Sequence, residues 1–176
     1  MPFASTALLQ SAWVVPDLQS AMDDWLRTMK VGLFLTFEVS APNALYRGRR
    51  SPLKMSIGLT QAGPMQIELI QQLSSGPSAY RDSVSKGQRG FHHVLRVAAD
   101  YDAEVDGLRQ RGIVLATEGE LGDGLRWIYA DTRAEIGCML EIVPASPQIR
   151  ALNQAVFEAS IDWDGGDPIR PFNLRL

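Results

Sequence analysis

Gln10-Ser11-Ala12-Trp13-Val14-Val15-Pro16-Asp17-Leu18 and His93-Val94-Leu95-Arg96-Val97-Ala98-Ala99-Asp100-Tyr101 follow one pattern: an extended apolar run, then an aspartate, then the start of a helical stripe. The β-branched and aromatic residues Trp13, Val14 and Val15 favour a strand. Asp17, after Pro16, is suited to cap a helix N-terminus. Leu18, Ala21, Met22, Trp25, Leu26 and Met29 then recur at helical spacing, and Gly32 offers a stop. In the second stretch Asp100 is the cap, Tyr101, Val105 and Leu108 form the stripe, and Gly112 is the stop. The offset is constant: 17 to 100, 18 to 101, 22 to 105 and 25 to 108 are each 83 residues. A fixed offset across strand, cap and stripe is the mark of an internal duplication.

Working outward, each helix is followed by an apolar stretch, Gly32 to Phe37 and Gly112 to Ala116, and then by a further strand, Leu53 to Thr60 and Leu125 to Ala130. Each half closes on a similar strand. Met65-Gln66-Ile67-Glu68-Leu69-Ile70 matches Cys138-Met139-Leu140-Glu141-Ile142-Val143 at an offset of 73. The drop from 83 to 73 places about ten extra residues in the first half, around Pro42 to Pro52. Each half therefore reads strand, helix, strand, strand, strand.

The expected fold class is α+β: two tandem βαβββ modules forming an open, incomplete barrel of mixed sheet, plus a C-terminal helix and an irregular tail. The expected boundaries are 1–72 for the first module, 73–90 for a Ser/Gly-rich linker, 91–145 for the second module and 146–176 for the helix and tail, all within one domain.

Composition narrows the function classes. The formal charge is −3 with an isoelectric point near 5.4, so no basic face favours nucleic acid. A single cysteine, Cys138, forms no internal disulfide and fits a reducing compartment. It starts a closing strand and reads as a small core residue rather than a nucleophile. No apolar run is long enough to span a bilayer, and the first residues lack the basic start and apolar core of a signal peptide. The expected location is cytoplasmic.

The repeat also selects residues. Seven positions before Asp17 stands Gln10, and seven before Asp100 stands His93. Glu68 and Glu141 occupy matching places in otherwise apolar closing strands. A carboxylate among Ile and Leu is costly to bury unless it is paired or bound to a cation. His92 adjoins His93, and strand alternation is expected to turn only one of them inward; the repeat offset selects His93. Arg47, Arg49 and Arg50, in the first-half insertion, could grip a phosphate or carboxylate, or form a solvated loop. Arg126 and Trp127 alternate, so one of the two is expected to face a pocket.

With Gly90-Phe91-His92-His93, Asp100-Tyr101-Asp102-Ala103-Glu104-Val105 and Leu140-Glu141-Ile142, the chain resembles the vicinal-oxygen-chelate superfamily over about residues 7–145. The resemblance implies that the first and fourth strands of each module donate one metal ligand, which gives Gln10, Glu68, His93 and Glu141. That set is similar to the ligands of zinc-type glyoxalase I. Methylmalonyl-CoA epimerase has a related set with His where this chain has Gln10. The implied cofactor is a divalent metal, with Zn, Ni, Co, Mn and Fe all suited to these donors.

The implied activity is that of an isomerase, epimerase or lyase. The metal stabilises an enolate-type intermediate of a small carbonyl or thioester substrate, and Glu141 or Glu68 serves as base. A metal-free small-molecule-binding protein of the same fold is the alternative. A ring-cleaving dioxygenase is a second alternative, disfavoured because Gln10 replaces the second histidine of a two-His, one-carboxylate iron site. No glutathione-binding pattern is recognisable. The resemblance also implies a homodimer.

Overall fold

A computed structural model describes residues 8–121 and 124–173. The N-terminal residues 1–7, read above for a signal peptide, and the last three residues of the tail lie outside the described residues.

The first half runs β1 (Leu8–Val14), α1 (Leu18–Met29), β2 (Phe34–Ala41), β3 (Leu45–Tyr46), β4 (Arg49–Arg50), β5 (Leu53–Ala62) and β6 (Met65–Gln72). After α2 (Ala79–Ser83) the second half runs β7 (Gly90–Ala98), α3 (Tyr101–Gln110), β8 (Leu115–Glu120), β9 (Arg126–Ala130), α4 (Arg133–Ile136) and β10 (Met139–Pro144). α5 (Pro147–Ser160) and β11 (Ile169–Pro171) complete the chain.

Both aspartates cap as their positions imply. The Asp17 carboxylate accepts from Ser20 N at 2.8 Å, and that of Asp100 from Ala103 N at 3.0 Å. The stripes behind them bury Leu18, Ala21 and Met22 in α1 and Tyr101, Val105 and Leu108 in α3.

The sheet order is β11-β2-β5-β6-β1-β7-β10-β9-β8-β3-β4. Its centre is the antiparallel pair β1–β7, which joins the halves. Outside it, β1 pairs in parallel with β6, and β7 in parallel with β10. The duplication survives in the register. Gln10 lies beside Gln66 and His93 beside Met139; 10 to 66 is 56 residues and 93 to 139 is 46, so the first half carries ten more. Those residues include the β3–β4 hairpin. Instead of hanging free, β3 crosses to the far edge of the second module, pairing Leu45 with Glu118 and Tyr46 with Thr117. The open sheet therefore curls, held by this strap.

Three expectations are revised. The Ser/Gly-rich linker contains α2, which buries Ala79 and Tyr80 against β7. The irregular tail adds a strand, because β11 pairs with β2 and places Phe172 6.4 Å from the Phe37 ring. The arginines of the insertion bind the chain itself. Arg47 reaches Asp82 and Asp131, each at 2.6 Å, and Arg133 holds Asp131 from the other side at 2.7 Å. Arg50 bonds Pro42 O and Asn43. Arg49 is exposed, and none of the three lines the central cavity.

α5, capped by Ser146, packs on β5 and β2 and covers the apolar face of the sheet. No helix among the described residues is long and apolar enough to cross a membrane.

Candidate active site

The four residues selected by the repeat sit on one face of the four central strands. Glu68 and His93 lie in one row of the sheet, on either side of Ala12. One row along, Leu95 stands between Gln10 and Glu141. These neighbours follow from the duplication, since Ala12–Glu68 in the first half corresponds to Leu95–Glu141 in the second.

Glu68, His93 and Glu141 converge, with one donor atom from each lying within 4.8 Å of the others. His93 Nε2 is 2.7 Å from Glu141 Oε2 and 3.4 Å from Glu68 Oε2. His93 is fully buried, and both glutamates are 8% exposed. Despite the short distances, His93 Nε2 and Glu68 Oε2 have no aligned hydrogen-bond partner among the described residues. An imidazole and two carboxylates this close can hold one another as an ion cluster, and can equally hold a metal ion. Gln10 is 3% exposed and lines the same cavity, with no hydrogen bond to its amide among the described residues.

Charge behaves as this crowding requires. Burial raises the carboxyl pKa of Glu68, and the Glu141 charge adds to it. Burial opposes a charged His93, but the negative charges of Glu141 and Glu68 overcome it and push its pKa up to about 9.

Strand alternation does not hold at the two histidines. His93 pairs with Ala12 and Phe91 with Trp13, so His92 is the extra residue of a β-bulge. Both side chains are fully buried and their Nδ1 atoms lie 2.8 Å apart. His92 Nε2 is 3.1 Å from Ala79 O, a group that can only accept, so Nε2 carries the proton. Burial, with the neighbouring His93 charge, holds the His92 pKa well below its usual range, so the ring is neutral and its Nδ1 accepts. His93 Nδ1–H therefore donates to it. Once His93 is neutral, its Nε2 lone pair is the one facing the carboxylates.

Tyr80 and Tyr129 close this polar pocket. Their hydroxyls are 3.0 Å apart, and the Tyr129 ring is 4.9 Å from that of His93. Sequence reasoning missed the α2 contribution, Ala79 O and Tyr80; a short helix in a Ser/Gly-rich segment gives no strong periodic signal.

Beyond the carboxylates the cavity holds about 110 Å³ and is walled by apolar side chains, among them Phe37, Ile57, Leu95, Trp127, Val143 and Leu152. Trp127, not Arg126, faces it. Arg126 turns out onto the Tyr101 ring and Asp102. Trp127 lies flush against Gly119, where a Cβ would fall 2.2 Å from the ring.

Comparisons with known proteins agree with this architecture. The family model described as glyoxalase/bleomycin resistance protein/dioxygenase superfamily matches residues 9–129. No curated protein matches the chain. Among solved structures, the methylmalonyl-CoA epimerase of Mycobacterium tuberculosis is 18% identical, with a TM-score of 0.57, covering 86% of this chain and 95% of its own. A hypothetical protein from Bacillus halodurans is 16% identical, with a TM-score of 0.56, covering 80% and 94%. A Streptomyces coelicolor methylmalonyl-CoA epimerase in complex with 2-nitronate-propionyl-CoA is 15% identical, with a TM-score of 0.55, covering 81% and 99%. At these identities the likeness is one of fold. With a family model spanning most of its length and two βαβββ modules joined through their first strands, the chain belongs to the glyoxalase/bleomycin resistance protein/dioxygenase superfamily and has the vicinal-oxygen-chelate fold.

Proposed function

We propose that the chain is a metal-dependent isomerase, epimerase or lyase that moves a proton at the carbon next to a carbonyl group. The observation that carries this reading is the buried convergence of Glu68, His93 and Glu141. Two carboxylates and an imidazole suit Zn, Ni, Co, Mn or Fe. The unsatisfied Glu68 Oε2 and His93 Nε2 are the atoms such an ion would take up. Gln10, its amide free in the same cavity, is the fourth ligand in this reading. When bound, the cation supplies Lewis-acid stabilisation of negative charge developing on a substrate oxygen.

The protein's own groups do the rest. Glu141, 2.7 Å from His93, anchors the imidazole. Glu68, 3.4 Å away and raised in pKa by burial, is the carboxylate farther from the imidazole, suited to accept the proton from the adjacent carbon and return it. His92 fixes the orientation of His93, and the apolar walls keep water from the developing charge. Proton transfer beside a carbonyl agrees with the epimerases whose fold the chain shares.

The test is hydrogen exchange. In D2O, metal-loaded protein should wash deuterium into the CH2 of 2-hydroxyacetophenone or a related α-hydroxy ketone, and chelation should stop it. Exchange that survives full metal removal would contradict the reading.

The metal-free binding protein remains the second reading, favoured only by the apolar character of the cavity. We further propose that the two modules, 1–72 and 91–145, act as one unit, that the chain forms a homodimer, for which a light-scattering mass of one 19.4 kDa chain would be the contrary result, and that it works in the cytoplasm, where a lone, free, buried Cys138 is at ease.

A further inference from the structure

We propose that the cavity selects an uncharged, ring-sized carbonyl compound carrying a second oxygen acceptor, which the amide of Asn153 on α5 recognises. This rests on the reading above, because it takes the carboxylate cluster as the reacting end.

The lining supplies the first half of the argument. Among the described residues that wall the cavity there is no Lys or Arg. The charged groups on the wall are Glu68 and Glu141. A substrate carboxylate or phosphate held in the body of this cavity would lose its hydration and find no cationic side chain among the described wall residues to replace it. A neutral apolar body meets Phe37, Leu95 and Trp127 instead.

The second half is a polar group on the same wall, one row along the sheet from Glu68 and beside Gln10. Gln66 and Glu68 are two residues apart on β6 and so share a face, with a separation of roughly 6.6 Å along the strand. The Gln66 amide donates to Asn153 Oδ1 at 3.3 Å. This bond ties α5 to the sheet and fixes the amide so that Asn153 Nδ2 is its remaining donor. Nδ2 is buried and has no partner among the described residues. Buried donors are rarely left unsatisfied without a reason. Asn153 lines the cavity, so this spare donor calls for a ligand oxygen that accepts without carrying a full charge.

Calorimetric titration of the full-length, chelator-treated protein tests this without metal or turnover. The probes are 2-hydroxyacetophenone, its ring-hydroxylated analogue 2,4′-dihydroxyacetophenone, and benzoylformate, which has nearly the same shape but carries a carboxylate. The expected result is that both neutral ketones bind at least about tenfold more tightly than benzoylformate. Asn153→Leu should weaken the dihydroxy ketone by about three- to tenfold, the worth of one hydrogen bond, while shifting 2-hydroxyacetophenone less than about twofold. Benzoylformate binding as tightly as the ketones, absence of binding by both ketones, or equal losses for the two ketones in the variant would each overturn the proposal. The ketone-to-acid ratio in the unaltered protein stands whether or not the variant folds. Ketone binding without deuterium exchange in the metal-loaded protein would uphold the selectivity and reject the isomerase reading. Exchange on mandelate, a charged acid that has an α-C–H, and on neither ketone would do the reverse.

Discussion

The Nδ1 atoms of His92 and His93 lie 2.8 Å apart, and Ala79 O, at the other end of the His92 ring, decides which of them carries the proton. A backbone carbonyl in α2 thus sets the tautomer of an imidazole two side chains away. Outer-sphere partners of this kind commonly change metal affinity by 10- to 100-fold. His92→Phe keeps a ring in the bulge but leaves His93 Nδ1–H without an acceptor. It is expected to weaken divalent-metal binding by about tenfold or more, measured by competition with a chromophoric chelator. His93→Ala is expected to weaken it much further. Equal losses in the two variants would mean that the roles of the pair are misassigned.

The carboxylates divide in a testable way. Glu68→Gln is expected to lower deuterium exchange at the α-carbon by at least about 100-fold, the usual contribution of a general base. Glu141→Gln should abolish turnover too, but chiefly by lowering metal occupancy, since it removes the group 2.7 Å from His93. Circular dichroism should report an intact fold in both. Glu141→Gln that holds its metal as tightly as the unaltered protein and exchanges as fast would remove Glu141 from the machinery.

Protons and metal compete for His93. In the metal-free protein the imidazole keeps its proton up to about pH 9, because the two glutamate charges outweigh burial. A metal ligand must give that proton up. The sign follows: affinity rises with pH while His93 is protonated in the free protein and levels off above about 9. A slope near tenfold per pH unit is expected between neutral pH and that point. Affinity flat from pH 6 to 9 would show that no buried proton is displaced.

The strap supplies a prediction away from the site. Arg47 neutralises Asp82 and Asp131, whose side chains are only 14% and 16% exposed, while the Tyr46 hydroxyl donates to Asp82 at 2.6 Å. Arg47→Met leaves two half-buried carboxylates facing each other, with Arg133 alone between them. With Arg47 itself one-third exposed, screening keeps the loss modest, at about 1 kcal/mol. It should appear in denaturant melts and shrink as salt is added. A loss confined to ligand binding, with stability unchanged, would indicate that Arg47 serves the site after all.

What was legible in the sequence was what the duplication states twice. Asp17 and Asp100 cap because each precedes an amphipathic stripe, and the 73-residue offset brings Glu68 and Glu141 to matching rows of the sheet. The less legible features depend on how separate pieces meet. The bulge at His92 is a property of the β1–β7 register, not of the β7 sequence, so alternation predicted one inward histidine where there are two. Arg47 read as either an anion grip or part of a solvated loop, because its carboxylate partners lie 35 and 84 residues away. The apolar face of α5 announced a helix but not the angle at which it docks, and that angle is what brings Asn153 to Gln66.

The most direct test of the account is metal content. Protein purified without added metal or chelator, then titrated with Zn, Ni, Co, Mn and Fe(II) and analysed by elemental mass spectrometry, should take up close to one divalent ion per chain. Glu68→Gln, His93→Ala and Glu141→Gln should each lose most of it. A folded protein that binds no ion at all, or whose bound ion is indifferent to all three substitutions, would contradict the account at its centre.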